Sequence, residues 1–307
     1  MSKYVYIMGR GHSGSTVLDC LLDNVEGVQG VGETVVGLKK GFCADGDEGR
    51  ERKVAAFWNR VNEVCEDEAD MDWAEVVEAY RGQAHPAKFP KTLLADQETE
   101  FIARTVRSVR RVYESVLQVS GADIVVDSSK EVTRALLIAK HFEEGFIIHL
   151  VRNPIKVLAS DLDRIVNKGK FRFLRKSYDT EGREYLFAFL TCVNWMVGNL
   201  LCEMVKLYCG DRCMTVRYED LRRKPGRTLE RIGDRLGIDV AGVVENTERR
   251  VPMSTGIGLN GNRMRRGSCE FVFDPGSSQR EWPSGYEKMC RLVTYPLLKK
   301  YGYIGNS

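Results

Sequence analysis

The sequence has few of the residues that build metal centres or disulfide frameworks. It contains four histidines, and its nine cysteines are scattered without a C-x-x-C pair. No cysteine stands near a histidine at the spacing of a zinc site, so we expect no bound metal. Scattered cysteines are typical of a reducing compartment, and no signal peptide precedes the first predicted strand. We therefore expect a cytoplasmic protein.

An excess of charge of one sign is also missing. Lysine and arginine number 46 and acidic residues 43, which leaves a net charge of +3. This balance is too small to favour sequence-independent binding of nucleic acid. The basic residues are nevertheless concentrated locally: residues 152–176 contain eight basic and two acidic residues, and residues 249–266 contain five arginines and no acid. Such segments favour a small anionic ligand.

Long hydrophobic runs are rare, and one alone is long enough to span a membrane. Residues 185–202 form eighteen positions without a charge, but Thr191 and Asn194 interrupt them. The strongest apolar residues recur at helical spacing, at positions 186, 189, 190, 193, 197, 200, 201 and 204. We predict a buried core helix whose wide apolar face these residues form, and no stable membrane span.

Short apolar runs alternate with helical patterns along most of the chain. The runs are typical of strands, and they lie at 3–9, 124–127, 146–151 and 213–216. Helices are predicted at 15–24, 131–142, 183–208 and 284–301. Strands separated by helices predict an α/β fold, with a central parallel sheet flanked by helices. Residues 1–307 are predicted to form a single domain, in which the charged, helix-patterned residues 40–120 are a helical insertion or lid.

The residues after the first predicted strand have the pattern of a phosphate-binding loop. Residues 9–16, Gly-Arg-Gly-His-Ser-Gly-Ser-Thr, fit the P-loop frame G-x-x-x-x-G-K-[ST] except that Ser15 replaces the lysine. A glycine turn before a helix directs backbone N–H groups at an anion. The missing lysine argues against ordinary ATP or GTP hydrolysis. The predicted phosphate contacts are Arg10, Gly11, Ser13, Gly14, Ser15 and Thr16.

With these residues in view, the chain resembles the PAPS-dependent sulfotransferases, where PAPS is 3′-phosphoadenosine 5′-phosphosulfate. His12-Ser13-Gly14-Ser15-Thr16 is similar to the family's 5′-phosphosulfate loop, [KR]-[ST]-G-[ST]-[ST], with His12 in place of the usual Lys or Arg. Residues 149–154 followed by Ser160 resemble the family's 3′-phosphate signature. The resemblance implies that Arg152 and Ser160 bind that phosphate.

Two later segments also resemble the family. Residues 217–221, Arg-Tyr-Glu-Asp-Leu, are similar to its R-Y-E-D-L stretch, which implies that Tyr218 lies near the nucleotide. Residues 261–265 resemble a loop that closes over the 3′-phosphate and adenine, which implies contacts from Asn262 and Arg263. The alternative for this last segment is a solvated basic loop.

The resemblance implies a P-loop NTPase-like sulfotransferase core of the bacterial type. It implies transfer of a sulfuryl group from PAPS to a hydroxyl or amine, with 3′-phosphoadenosine 5′-phosphate (PAP) as product and no metal. The acceptor is a small molecule, a carbohydrate or a lipid, and the sequence does not choose among them. The alternative is an ATP-dependent phosphotransferase or nucleotide kinase, because residues 9–16 and Asp127, an acid that ends an apolar run, also fit that class.

Three side chains are candidates for the chemistry. Glu33 stands where tyrosylprotein-type and many bacterial sulfotransferases carry Gly-Glu, and we predict it to be the base. Its alternative is pairing with Arg10 or another cation, and Asp127 competes for the same role. His12 is placed to donate to the bridging or sulfate oxygen. Lys130, in Asp-Ser-Ser-Lys, supplies the missing cation or is a solvated residue at a helix start.

Overall fold

The protein is built on one parallel sheet. The structure, a computed structural model, describes residues 3–34, 49–67, 73–82, 86–94, 99–168, 183–258 and 283–304. Its five strands are β1 (Tyr4–Gly9), β2 (Val28–Gly32), β3 (Ile124–Lys130), β4 (Gly145–Val151) and β5 (Cys213–Arg217). They are ordered β2-β3-β1-β4-β5, and every neighbouring pair is parallel. The predicted α/β class is confirmed.

Helices connect and cover the strands. The first five are α1 (Ser15–Leu22), α2 (Gly49–Asp67), α3 (Trp73–Gly82), α4 (Phe89–Leu94) and α5 (Glu100–Ser120). The next three are α6 (Val132–His141), α7 (Pro154–Lys168) and α8 (Glu184–Cys209). The last four are α9 (Tyr218–Arg223), α10 (Pro225–Leu236), α11 (Ala241–Glu248) and α12 (Ser284–Lys300). Short 3-10 turns occupy Pro86–Lys88 and Gly210–Arg212.

The two faces of the sheet bury different sets of side chains. Along β1, Tyr4, Tyr6 and Met8 point to the face that α5, α6 and α8 cover. Val5 and Ile7 point to the opposite face, against α1 and α10. Successive residues of a strand point to opposite faces, so a strand that is buried on both sides reads as one continuous apolar run. This explains why β1 and β4 stand out in the sequence.

The helices between β2 and β3 share the main core. Trp58 of α2 and Val109 of α5 are fully buried in the same cluster as Tyr4 of the sheet. The Trp58 Nε1 group also donates to the carbonyl of Ile257, at 3.2 Å. The described helices of the predicted insertion are therefore packed onto the sheet and reach the segment that follows α11.

Helix α8 confirms a predicted helix but turns a different face inward. Its buried side is made of small and polar residues as well as apolar ones, and includes Ala188, Cys192, Gly198 and Asn199. Of the eight predicted apolar positions, 186, 189, 197 and 200 are exposed, and 190, 193, 201 and 204 are half-buried. The prediction that this face is buried is therefore wrong at the four exposed positions.

Packing explains why α8 presents that face to the protein. Both sides of the helix are apolar, and the side with small residues approaches the sheet more closely. A Cβ atom added to Gly198, for example, would overlap the side chain of Arg10. By length and composition, residues 184–212 are the one helix of the described chain that could cross a membrane. Here its inner face contacts α6, α7 and α12.

Candidate active site

The loop between β1 and α1 has the geometry of an anion site. His12 and Gly14 adopt left-handed backbone conformations, with φ of 63° and 91°. A Cβ atom on Gly14 would overlap the ring of Tyr218, so this position requires glycine. The Gly14 carbonyl accepts from the Val17 amide at 3.0 Å and so begins α1 at the end of the loop.

One loop hydroxyl lacks a partner within the described structure. Ser13 is 2% exposed, and its Oγ atom forms no hydrogen bond with any described residue. Ser15 and Thr16, the first residues of α1, are buried beside it in the chain. A buried polar atom without a partner is destabilising unless a ligand or water satisfies it. Ser13 therefore fits a ligand oxygen at the N-terminus of α1.

Arg152, at the end of β4, lies against this loop. Its Nη1 atom donates to the His12 carbonyl at 2.9 Å, and its guanidinium carbon is 4.9 Å from the centre of the Tyr218 ring. Burial lowers the pKa of Arg152, because a guanidinium loses hydration there. An anion bound at this point would compensate that loss. The structure thus brings together Arg152, Tyr218 and the loop, as the sequence predicts.

The turn that carries Arg152 is fixed by residues from three other elements. Glu219 accepts from the Asn153 amide through Oε1 at 2.9 Å and from the Tyr303 hydroxyl through Oε2 at 2.7 Å. On the other side, Trp195 Nε1 donates to the Arg152 carbonyl at 3.2 Å. The sequence patterns did not reveal these supports, although Glu219 is part of the R-Y-E-D-L stretch.

His12 is turned toward α7. Its Nε2 atom lies 3.1 Å from Asp161 Oδ1, and the two side chains are 24% and 18% exposed. Asp161 follows Ser160, which is half-buried in the same helix, and α7 begins at Pro154 as predicted. Asp161 was not among the predicted site residues, because an aspartate on an amphipathic helix has no pattern of its own.

A second charged group lies at the ends of β2 and β3. Lys130 Nζ donates to Glu33 Oε1, and the two side chains are only 11% and 16% exposed. The alternative in which Lys130 is solvated is therefore wrong. The alternative in which Glu33 pairs with a cation is confirmed, with Lys130 as that cation. The predicted base and the predicted cation are thus in direct contact.

Both carboxylate oxygens of Asp127 accept hydrogen bonds from the protein. It is fully buried, accepts from Thr34 Oγ1 at 2.7 Å and Tyr113 OH at 2.9 Å through Oδ2, and accepts from the Ser129 amide at 2.8 Å through Oδ1. Both carboxylate oxygens are satisfied, so Asp127 joins β3 to α5. Between the two candidate bases, the structure favours Glu33.

The remaining predicted site residues are Arg10, Gly11, Asn262 and Arg263. The aliphatic part of Arg10 lies against Gly198 of α8. Gly11 lies in the turn between β1 and α1. Asn262 and Arg263 lie outside the described residues, so their predicted contacts stay predictions.

Comparison with known proteins identifies the family of the chain. The model of the sulfotransferase family matches residues 5–242, so the chain belongs to the sulfotransferase family. Among solved structures, it is similar to the sulfotransferase domain from the curacin biosynthetic pathway, with 16% identity, coverage of 97% of this chain and 98% of that chain, and a TM-score of 0.54.

The sulfotransferase STF9 from Mycobacterium avium is similar as well. The identity is 12%, the coverage is 97% of this chain and 76% of that chain, and the TM-score is 0.54. At these identities the likeness shows the fold alone. No curated protein matches the chain.

Proposed function

We propose that the protein is a PAPS-dependent sulfotransferase. It transfers a sulfuryl group to a hydroxyl or amine of a small-molecule, carbohydrate or lipid acceptor and releases PAP. The observation that carries the proposal is the contact between Arg152 and the loop, 2.9 Å from Nη1 to the His12 carbonyl. The guanidinium that would bind the second phosphate therefore lies next to the loop that would hold the first.

The described residues fit this donor. The Ser13 hydroxyl, which has no partner among the described residues, would hold the 5′-phosphate together with the amides at the N-terminus of α1. Arg152, with Ser160 on α7, would bind the 3′-phosphate through charge-assisted hydrogen bonds. Tyr218 would lie beside the nucleotide, since its ring packs on Gly14 and Arg152.

The chemistry requires a base, an aligned acceptor and stabilisation of charge on oxygen. PAPS supplies the sulfuryl group, whose sulfur–oxygen bond breaks with its electron pair left on the 5′-phosphate. Glu33 accepts the proton of the acceptor as the new sulfur–oxygen bond forms. Lys130 positions the Glu33 carboxylate through its direct contact. His12 donates to the oxygen on which negative charge develops.

A phosphotransferase that uses ATP is the second candidate function. Residues 9–16 favour it by their frame, but Ser15 stands in the place of the lysine that contacts the β- and γ-phosphates. Asp127, the candidate magnesium-binding acid, has both oxygens in protein hydrogen bonds. These two observations favour the sulfotransferase.

Thermal unfolding with different nucleotides tests the proposal. The protein is mixed with PAP, AMP or ATP, each with and without Mg²⁺. We expect PAP to raise Tm without Mg²⁺, because a ligand at a hundred times its Kd stabilises a protein by about 2.7 kcal/mol. AMP, which lacks the 3′-phosphate, should give a smaller shift. A shift with Mg-ATP and none with PAP would contradict the proposal and support the phosphotransferase.

A further inference from the structure

A cluster of charged side chains lies where β4, α8 and the end of α12 meet. Its centre is Glu203 of α8, which accepts from Tyr301 OH at 3.0 Å and Lys206 Nζ at 2.9 Å through Oε1. Lys300 Nζ lies 2.6 Å from the other oxygen, Oε2. His149 of β4 is fully buried and faces the same carboxylate. The cluster therefore joins the end of α12 to α8 and to the sheet.

The hydrogen bonds of Asn199 fix the proton on one ring nitrogen of His149. Asn199 Nδ2 donates to the Trp195 carbonyl at 2.8 Å, so Oδ1 is the atom that accepts from His149 Nε2 at 3.0 Å. The second nitrogen, Nδ1, lies 3.6 Å from Glu203 Oε1. A neutral ring would have its lone pair at Nδ1, beside a carboxylate oxygen. A doubly protonated ring has an N–H group there, and the carboxylate attracts it.

The neighbours of His149 favour the charged ring. Burial lowers the pKa of His149, but the Cys202 thiol and the acceptors of Glu203 and Asn199 outweigh it and raise the pKa from 6.5 to about 9. Conversely, although burial alone would raise the pKa of Glu203, its contacts with His149 and two lysines hold that pKa well below its usual range. Each group of the pair thus stabilises the charge of the other.

Other groups around the ring change this balance little. Met8 and Thr215, the strand neighbours of His149 on β1 and β5, are uncharged. Lys206 and Lys300 oppose a positive charge on the ring, but their side chains are 26% and 53% exposed, so water screens them. The Tyr301 hydroxyl stays neutral, because burial raises its pKa further above its ordinary value.

The cluster supports the turn of Arg152 through aromatic packing. His149 precedes Arg152 by three residues on the same strand and turn. The Tyr301 ring packs edge-on against the rings of His149 and Trp195, with centroids 5.7 and 6.2 Å apart. Trp195 Nε1 in turn donates to the Arg152 carbonyl at 3.2 Å.

The residues after Tyr301 reach the same turn. Tyr303 OH donates to Glu219 Oε2 at 2.7 Å, and Glu219 Oε1 accepts from the amide of Asn153, the residue after Arg152, at 2.9 Å. Residues 301–303 thus connect the cluster to the turn that carries the guanidinium.

We infer that His149 is a buried, positively charged positioning residue, which pairs with Glu203 and thereby fixes the position of Arg152. The pair holds Tyr301 against β4, and residues 301–303 together with Trp195 hold the turn. A neutral ring would leave Glu203 without its buried partner and loosen this support. The inference rests on the proposed function, because it assigns to the pair an effect on binding of the 3′-phosphate.

The charge of His149 is measured without any nucleotide. The four histidines are labelled with nitrogen-15, and the ring resonances of His149 are assigned by their loss in H149Q. We expect both ring nitrogens of His149 to be protonated at neutral pH. In E203Q, which keeps the size of the side chain but not its charge, we expect the ring to lose its proton at a lower pH. A neutral ring in the wild-type protein at neutral pH would overturn the inference.

The pH dependence of unfolding gives a second test. The folded-state pKa of about 9 lies above the ordinary 6.5, so the stabilisation is complete below pH 6.5 and is lost as the pH rises through 9. We expect wild type to resist urea better than H149Q at pH 6.5, and the difference to shrink toward pH 9. Where H149Q does not fold, E203Q takes its place. A difference independent of pH would show that His149 contributes packing alone, and would overturn the inference.

Calorimetry with PAP and AMP tests the effect on Arg152. In E203Q we expect PAP affinity to fall by about threefold to tenfold and AMP affinity by less than about twofold, since only PAP has the 3′-phosphate. E287Q, which removes an exposed carboxylate paired with Arg291 on α12, is the matched control and should change neither affinity.

The outcomes separate this inference from the proposed function. Equal losses for PAP and AMP in E203Q, or an unchanged PAP affinity, would overturn the inference while the wild-type protein still binds PAP. Failure of the wild-type protein to bind PAP would contradict the sulfotransferase proposal itself.

Discussion

The two charged regions at the carboxyl end of the sheet are built in different ways. The donor region combines loop amides, one hydroxyl and Arg152, and the protein leaves Ser13 Oγ without a partner among the described residues. The region of Glu33 and Lys130 is one side-chain pair at the ends of two neighbouring strands. The loop amides of the donor region can bind an anion whenever the loop is correctly folded. The Glu33–Lys130 pair is lost when either side chain is replaced.

The largest effect is expected from the side-chain region. E33Q removes the proposed base but keeps the size of the side chain, so we expect kcat to fall by about a hundredfold to ten-thousandfold with a phenol as the probe acceptor. PAP affinity should change little, because the donor region is intact. E26Q, an exposed carboxylate before β2, is the matched control. Unchanged kcat in E33Q would remove Glu33 from the chemistry.

Within the donor region, we expect substitution of Gly14 to cause the largest loss of PAP affinity. In G14A, a Cβ atom would overlap the Tyr218 ring in a left-handed conformation, so we expect PAP affinity to fall by about a hundredfold, in line with disruption of a core contact. G121A is the control: Gly121 has φ of 69° and nothing within 4 Å of an added Cβ atom. It should reduce stability by about 1 kcal/mol and leave PAP binding unchanged. Calorimetric titration with PAP separates the two, and equal affinities would contradict the account of the loop.

R152A should weaken binding selectively. Loss of a charge-assisted contact is expected to reduce PAP affinity by about tenfold to a hundredfold. AMP affinity should change much less, because AMP has no 3′-phosphate. The measurement is the ratio of the two dissociation constants in wild type and variant. An equal loss for both nucleotides would show that Arg152 supports the loop without reading the second phosphate.

The smallest effect on PAP affinity is expected from Tyr303, which supports the turn that carries Arg152. Y303F removes the hydroxyl that donates to Glu219 Oε2 at 2.7 Å, while the other carboxylate oxygen still accepts from the Asn153 amide. We expect PAP affinity to fall by about twofold to tenfold, the effect of one hydrogen bond. Y295F, on the exposed side of α12, is the control. A loss as large as in R152A would mean that the turn depends on Tyr303.

Features carried by contiguous residues were predictable from the sequence. Strands β1, β3, β4 and β5 are short apolar runs, and residues 9–16 keep their order from strand to helix, so these features were located correctly. Strand β2, whose five residues include two glycines, was not predicted. Arg152 was predicted at the site from the resemblance to the family's 3′-phosphate signature, and it lies beside the loop because the carboxyl ends of the parallel strands β1 and β4 meet at one edge of the sheet.

Features that depend on tertiary packing were not predictable. Glu33 and Lys130 are 97 residues apart, and nothing local to either shows that they meet. Asp161 contacts His12 only because α7 returns past the loop. The inward face of α8 was missed because both of its faces are apolar and small residues decided the packing.

A crystal structure of the complex with PAP tests the central claim most directly. We predict that the 5′-phosphate lies on the amides of residues 14–16 and accepts from the Ser13 hydroxyl. The Arg152 guanidinium should contact the 3′-phosphate within hydrogen-bond distance, about 3 Å. PAP bound with its 3′-phosphate in solvent, or bound away from this loop, would contradict the account.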